Sequence, residues 1–427
     1  MKRILSLITV LSLLLASSAL PALAEEPVAL VFWHSFTESN GALLEQLVAD
    51  YNAAHTDVRV EAVYQGTYAE ATQKLNSILL SGDLSGLPDV MMMDATGKVT
   101  YATSGAAYTV DDALADHPDA DVSMMLEAAM GNWNYAGVQL GMPFATSTTV
   151  LYYNKTLLDA AGLTAPETLA DIGAMAGRLP EGVTVFATVP NTPTLANWLG
   201  QLGSDVVDLR NGSEGSATAL ACVDNGALAS FLTAWQELYA TGALKNSAGS
   251  SDEFVAGTLA MMTSSSSSLS SYIARIGDSF ELGVAAYPRV NADAQAGATV
   301  SGCCLVMFNT EKKEASWSFV QAMTGAEAQA TLAVGSGYMP SNKESLETEA
   351  WQSMIAESPI RAVAYEQVLA TPDTMRSVTV GPAADFYYAI QNCVSDMLEQ
   401  GLSAEETVEL MEDELGGLLE QYNLANP

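Results

Sequence analysis

Positive charge is what this sequence has least of. Sixteen Lys and Arg stand against 50 Asp and Glu, with three histidines, for a formal charge of −34 over 427 residues. So acidic a surface repels polyanions, which excludes nucleic acid and an anionic membrane as partners. The shortage of histidine also narrows the enzyme classes. Only His34, His55 and His117 are available, and neither a Gly-x-Ser-x-Gly elbow nor a His-Glu-x-x-His pair occurs. A carboxylate pair for glycoside cleavage survives because acids are plentiful, so an exported glycoside hydrolase or other secreted carbohydrate-active protein is the alternative to carry forward. Cysteine is scarce too. Cys222, Cys303, Cys304 and Cys393 have no metal-ligand spacing, and four cysteines allow three disulfide pairings without selecting one. Cys303 and Cys304 sit side by side in the apolar run to Phe308 and read as small buried residues. No repeat at solenoid periods and no cofactor fingerprint is present, so no cofactor is expected.

No apolar run is long enough to span a bilayer, the first included. That first stretch reads as an export signal: Lys2 and Arg3, an apolar stretch from Ile4 to Leu15, and small residues at Ala22-Leu23-Ala24. Its apolar run falls short of the ~20 residues of a membrane helix, so cleavage after Ala24 is expected. The remaining chain then carries fourteen basic against 50 acidic residues, −36. No cysteine stands at the cleavage site, so a lipoprotein anchor is not expected. The whole sequence is 49% hydrophobic, and what is left after the signal exceeds the ~250–300 residues at which one core divides, so two lobes are the default.

The order of elements points to an α/β fold. Val28 to Trp33 is a continuous apolar run suited to a buried parallel strand; a helix follows over 39–53, then an alternating strand over 57–64, a helix over 68–80 and the strand Val90 to Met93. Strand–helix–strand–helix–strand implies right-handed parallel crossovers. Ligands in such sheets lie beyond the carboxyl ends of the strands, which singles out His34, Ser35, the Gly66-Thr67-Tyr68 turn and Asp94. A carboxylate at Asp94 can take paired hydrogen bonds from vicinal hydroxyls, or simply cap a helix starting near Thr96. Tyr68 can stack on a polyol and offer its hydroxyl, or merely pack.

Further on, Pro143 to Lys155 changes from small polar residues to the strand Val150 to Tyr153, closed by Asn154, with a helix to about Ala161. The Ser/Thr tract 263–268 lies between a buried strand and a helix toward Ile276, an unusual place for a linker; Ser265 and its neighbours offer hydroxyls and free amides at a helix start. Val300 to Phe308 forms a second crossing strand, where Gly302 allows close approach of a ligand or a kink. Gly335-Ser336-Gly337 frees a loop that lets Tyr338 face a cleft. Helices are expected over 314–323, 326–334, 386–399 and 405–422.

Phe32-Trp33-His34-Ser35, Gly66-x-Tyr68, Pro143-Phe144 through Tyr152-Tyr153-Asn154-Lys155, Phe254-x-x-Gly257 through Met261, and Gly337-Tyr338-Met339-Pro340 occur in this order across nearly the whole chain after the signal. The set resembles family 1 extracellular solute-binding proteins of ABC transporters, most closely the glycerol-3-phosphate-binding branch. That resemblance implies a type II periplasmic-binding-protein-like fold, with lobe I over 25–145 plus 302–345 and lobe II over 146–301 plus 346–427. It implies a non-enzymatic monomer that captures a small polar solute, a sugar, polyol, glycerol 3-phosphate or glycerophosphodiester, and delivers it to ABC permease transmembrane subunits. By the same likeness, Tyr68, Asp94, Ser147, Ser265, Gly302 and Tyr338 contact the ligand. Asp94 stands where the branch commonly has Glu. The branch's phosphate-binding Arg is absent near the last lobe-closing helix, where Tyr388 or Tyr387 takes its place, with Arg376 a few residues upstream as a substitute.

Overall fold

A computed structural model describes residues 26–372 and 374–426. The expected signal at 1–24 lies outside the described residues. Twelve strands run β1 Val28–His34, β2 Val58–Tyr64, β3 Val90–Met93, β4 Ala107–Tyr108, β5 Asn134–Tyr135, β6 Val138–Gln139, β7 Met142–Asn154, β8 Thr184–Thr188, β9 Leu244–Asn246, β10 Leu259–Ser265, β11 Leu282–Ala285 and β12 Val300–Phe308. The architecture is α/β with two lobes, as expected, and β7 joins them. Its first half carries the order β2-β1-β3-β12, and its second half carries β10-β8-β9 with β11 also paired to it. β1 is parallel to both β2 and β3, while β12 runs antiparallel to β3 and to β7.

Burial on both faces of each half-sheet follows directly from the strand repeat of two. Val90 and Met92 enter one apolar cluster with Leu30, Phe32 and Phe319, while Met91 and Met93 enter another with Trp33, Tyr101 and Leu75. β12 alternates in the same way: Cys303, Leu305 and Met307 on one side, Cys304, Val306 and Phe308 on the other. A sheet covered on both faces explains why these strands read as unbroken apolar runs. The second half-sheet packs Leu151 and Phe186 against an aromatic group of Trp198, Phe231, Trp235 and Tyr287. Each of these fully buried rings contributes roughly 1.5–3 kcal/mol of transfer free energy.

Pairing on β7 passes from β12 to β10 between Thr148 and Thr149, since Val300 faces Thr148 and Ser265 faces Thr149. β7 starts at Met142, eight residues before the apolar stretch that marks it in the sequence. The intervening Pro-Phe-Ala-Thr-Ser-Thr-Thr looks like loop because its polar groups find partners only in the folded chain. Thr146 Oγ1 lies 2.6 Å from Ser341 Oγ, and Thr148 Oγ1 donates to the Thr299 carbonyl at 3.0 Å. The Gln367 amide donates to the Thr149 carbonyl at 2.8 Å, and its oxygen accepts from the Tyr287 N–H at 2.7 Å. A crossing segment rich in hydroxyls is thus tied down, as buried polar groups must be.

Candidate solute-binding cleft

Tyr68, Asp94 and Tyr338 meet at the carboxyl end of the first half-sheet. Tyr68 opens the helix Tyr68–Ser81, fixed there by a capping box between Thr67 and Glu70. Its hydroxyl reaches Met92 Sδ at 3.4 Å and also contacts Cys303, with Tyr338 and Asp94 close enough to act on its charge. Burial is the largest influence on Tyr68 and holds its phenol well above its ordinary pKa, so it stays a neutral donor. Tyr338 stacks on Phe36 at 5.5 Å between centroids with planes 18° apart, giving a firm aromatic wall. Burial raises its pKa too, and Ser267 lies within hydrogen-bond reach of its hydroxyl.

Asp94 takes the capping role: its Oδ1 accepts from the Thr96 N–H at 3.1 Å and caps the 3₁₀ turn Ala95–Gly97. Burial pushes its carboxyl above the usual range despite that bond.

The Ser/Thr tract forms the end of β10 and the 3₁₀ turn Ser266–Ser268, followed by the helix Leu269–Ile276. Ser265 Oγ lies 2.8 Å from Ser267 Oγ, which in turn neighbours Tyr338. Gly337 packs against the backbone of this tract: a Cβ there would stand 2.6 Å from the Ser266 carbonyl. Ser265, Tyr338, Tyr68 and Asp94 are therefore linked by successive contacts running from one lobe to the other.

Ser147 is buried and its Oγ lies 3.0 Å from the Oγ of Ser301, which is exposed, across the β7–β12 pair. Gly302 has a backbone reason for being glycine. Its φ is +112° and a Cβ would fall 1.9 Å from the Ala145 carbonyl, beside the β-bulge at Cys303/Cys304. The kink reading of Gly302 is the one this geometry accounts for.

Tyr388 lies elsewhere: it is 61% exposed on the helix Ala383–Gln400 and lines a groove with Asp396, Leu410 and Glu414, whose lining does not include Tyr68, Asp94 or Tyr338. Neighbouring residues on a helix point about 100° apart, so Tyr387 and Tyr388 meet different surroundings. Tyr387 instead accepts from Asn191 Nδ2 at 3.2 Å, at the start of the helix Thr192–Gln201.

The structure adds a residue that sequence reasoning passed over. Lys98 begins the short helix Lys98–Thr103, one turn after Asp94, and is only 3% exposed. Its Nζ donates to the Asn132 carbonyl at 2.9 Å and to Thr379 Oγ1 at 3.3 Å, the latter from the opposite lobe. Lys98 and Asp94 both lie near enough to Cys304 to act on its thiol. Burial, with a further push from the Arg376 charge, lowers Lys98 to about 8. Lys98 and Arg376 line a cavity of about 230 Å³ together with Glu127, Asn132, Ser213 and Ser377. Its walls come from both lobes, and Val300, where β12 begins, closes it. A lone lysine in a polar stretch carries no sequence sign of burial, so this one was not foreseeable.

All four cysteines are buried and free, so no disulfide pairing is realised. Burial raises the Cys222 and Cys303 thiols to about 12. Among the described residues no group of His, Cys, Asp and Glu is arranged to hold a metal ion, and no helix is long and apolar enough to cross a membrane.

A family model described as "Bacterial extracellular solute-binding protein" matches residues 46–357. The chain belongs to this family. This solute-binding protein is 24% identical over 369 residues to the sn-glycerol-3-phosphate-binding periplasmic protein UgpB of Escherichia coli K12, covering 83% of each chain. It is 25% identical over 364 residues to UgpB of Yersinia enterocolitica, covering 80% of each. Among solved structures it superposes on UgpB of Mycobacterium tuberculosis in complex with glycerophosphocholine, with TM-score 0.76, 19% identity, and coverage of 93% of this chain and 99% of that one. It also matches the GacH receptor of Streptomyces glaucescens, crystallised without ligand and with acarbose, with TM-score 0.74, 22% identity and the same coverage. These neighbours confirm the two-lobed periplasmic-binding fold of the solute-binding protein.

Proposed function

We propose that this protein is the substrate-binding component of an ABC importer. It captures a small polar solute, a sugar, polyol, glycerol 3-phosphate or glycerophosphodiester, between its lobes and delivers it to the permease subunits without altering its covalent bonds. The observation that carries this reading is a cavity walled by residues of both lobes beside the β7 crossing. A solute touching both walls stabilises the closed arrangement by its differential contacts, which is what couples capture to delivery. Tyr68, Asp94, Ser265 and Tyr338 are the contacts we assign at one end of the cleft, with Ser147 acting through Ser301 and Gly302 shaping the crossing. The division into lobes at 145/146, 301/302 and 345/346 belongs to the same reading, with the hinge centred where β7 changes partners. Relatives named as periplasmic, together with a signal expected to be cleaved near Ala24, support export.

The test is calorimetric titration after a thermal-shift screen of sugars, polyols and glycerophosphodiesters, since a bound solute raises the melting temperature by mass action. Binding that survives unchanged in both Asp94→Ala and Tyr68→Ala removes the contact assignment. Turnover of an oligosaccharide by the purified protein overturns the carrier reading in favour of the hydrolase.

A further inference from the structure

We propose that Arg361 is a positioning residue for solute binding: it fastens the Ser336 carbonyl and through it holds Tyr338 at the cleft. This rests on the carrier reading above and adds to it the device that aims one of the assigned contacts. Tyr338 sits between two anchors. On one side the Met339 N–H donates to the Thr146 carbonyl of β7 at 2.8 Å. On the other, the Tyr338 N–H donates to Ser336 Oγ at 3.1 Å, so where Ser336 goes Tyr338 follows. Ser336 is 1% exposed and directly follows the helix Ala326–Gly335, whose Leu332 packs in the apolar cluster of the first half-sheet.

The hold on Ser336 comes from the other half. Arg361 ends the 3₁₀ turn Pro359–Arg361, which packs beside β11, and Ser270 lies in the first turn of the helix Leu269–Ile276. Arg361 Nη1 donates to the Ser336 carbonyl at 3.1 Å and to Ser270 Oγ at 3.2 Å, and the Ser270 hydroxyl donates to the same carbonyl at 2.9 Å. Two donors thus converge on one oxygen, and the cation strengthens both bonds by polarising the hydroxyl. That oxygen lies just past the C-terminus of a helix, where the backbone dipole favours a positive charge. Among the described residues none of the ion pairs involves Arg361, so no carboxylate diverts its guanidinium. Gly337 lets the loop lie against the Ser/Thr tract, since a side chain there would strike the Ser266 and Ser267 carbonyls. The tract is itself fixed by Tyr152, whose hydroxyl donates to the Ser265 carbonyl at 2.9 Å and to the Ser266 carbonyl at 3.2 Å. Arg361 therefore presses the Tyr338 loop onto a fixed surface and acts on the solute through Tyr338.

The experiment uses the full chain after the signal and has two arms. Amide hydrogen exchange, followed residue by residue without solute, should speed about fivefold or more at Tyr338 in Arg361→Met and stay within about twofold at Met339, which β7 still holds. Calorimetric titration with glycerol 3-phosphate, glycerophosphocholine and maltose should show whichever probe binds weakened about three- to tenfold in Arg361→Met, and about twofold or less in Arg361→Lys, which keeps a charged donor. In a Tyr338→Ala background Arg361→Met should add less than about 1.5-fold, because the residue being aimed is gone. Equal losses with and without Tyr338, or exchange at Tyr338 unchanged by Arg361→Met, overturn the proposal and leave the carrier reading standing. If Arg361→Met fails to fold, Ser270→Ala removes the other donor to the same carbonyl and is judged by the same readings. Wild-type protein that binds none of the probes counts against the carrier reading, and the exchange result alone then upholds or overturns the hold on Tyr338.

Discussion

Replacing Lys98 by methionine should change how stability depends on pH, and the size of the change can be worked out. In the unfolded chain this lysine holds its proton up to its ordinary pKa of 10.5, whereas in the folded chain burial brings it down to about 8. Between those values the unfolded state binds more protons, so stability rises with pH through this window. The penalty is fully present below pH 8 and gone above 10.5. At about 1.4 kcal/mol per pH unit, the folded wild type should gain about 3 kcal/mol on the variant across the window. Buried tyrosines and cysteines, whose pKa values are raised, pull the other way at alkaline pH in both proteins and cancel in the difference. The lost bonds to Asn132 and Thr379 add an offset with no pH dependence. Urea unfolding of both proteins at pH 7, 8, 9 and 10 reads the effect. A stability difference flat to within about 0.5 kcal/mol would falsify the claim that Lys98 is a desolvated cation.

Other substitutions separate site from scaffold. Gly302→Ala should destabilise the protein by about 3 kcal/mol or more in thermal unfolding, because φ is +112° and the new methyl would meet the Ala145 carbonyl. Gln367→Met should cost about 2–3 kcal/mol by denaturant titration, since it strands the Tyr287 N–H and the Thr149 carbonyl inside the hinge. Tyr388→Ala should leave solute affinity within twofold by calorimetry, its ring being 61% exposed and outside the cleft. Asp94→Asn should lower affinity for any polyol-bearing solute at least fivefold while shifting the melting temperature little, because asparagine still caps the turn at Thr96.

What the sequence made legible was what strand periodicity and helix punctuation encode locally. Val28–His34, Val90–Met93 and Val300–Phe308 stand out because so much of both their faces is buried. The first half of β7 was invisible for the opposite reason: its threonines and serines acquire partners such as Ser341 and Ser301 only after distant segments converge. At the cleft, motif order located Tyr68, Asp94 and Tyr338 on converging elements. It passed over Lys98, whose burial depends on Asn132 and Thr379 arriving from elsewhere in the chain.

The unpaired thiols have a practical consequence. A chain without disulfides to form gains its fold with no need of an oxidant, and reducing agents leave its melting temperature where it is. They also serve as built-in clocks. Cys222 and Cys393 sit in the apolar cluster of the second half-sheet, so their alkylation times the unravelling of that half, whereas Cys303 sits in the cluster of the first half-sheet and times the unravelling of the other. Halves of unequal stability would show as two clocks running at different rates.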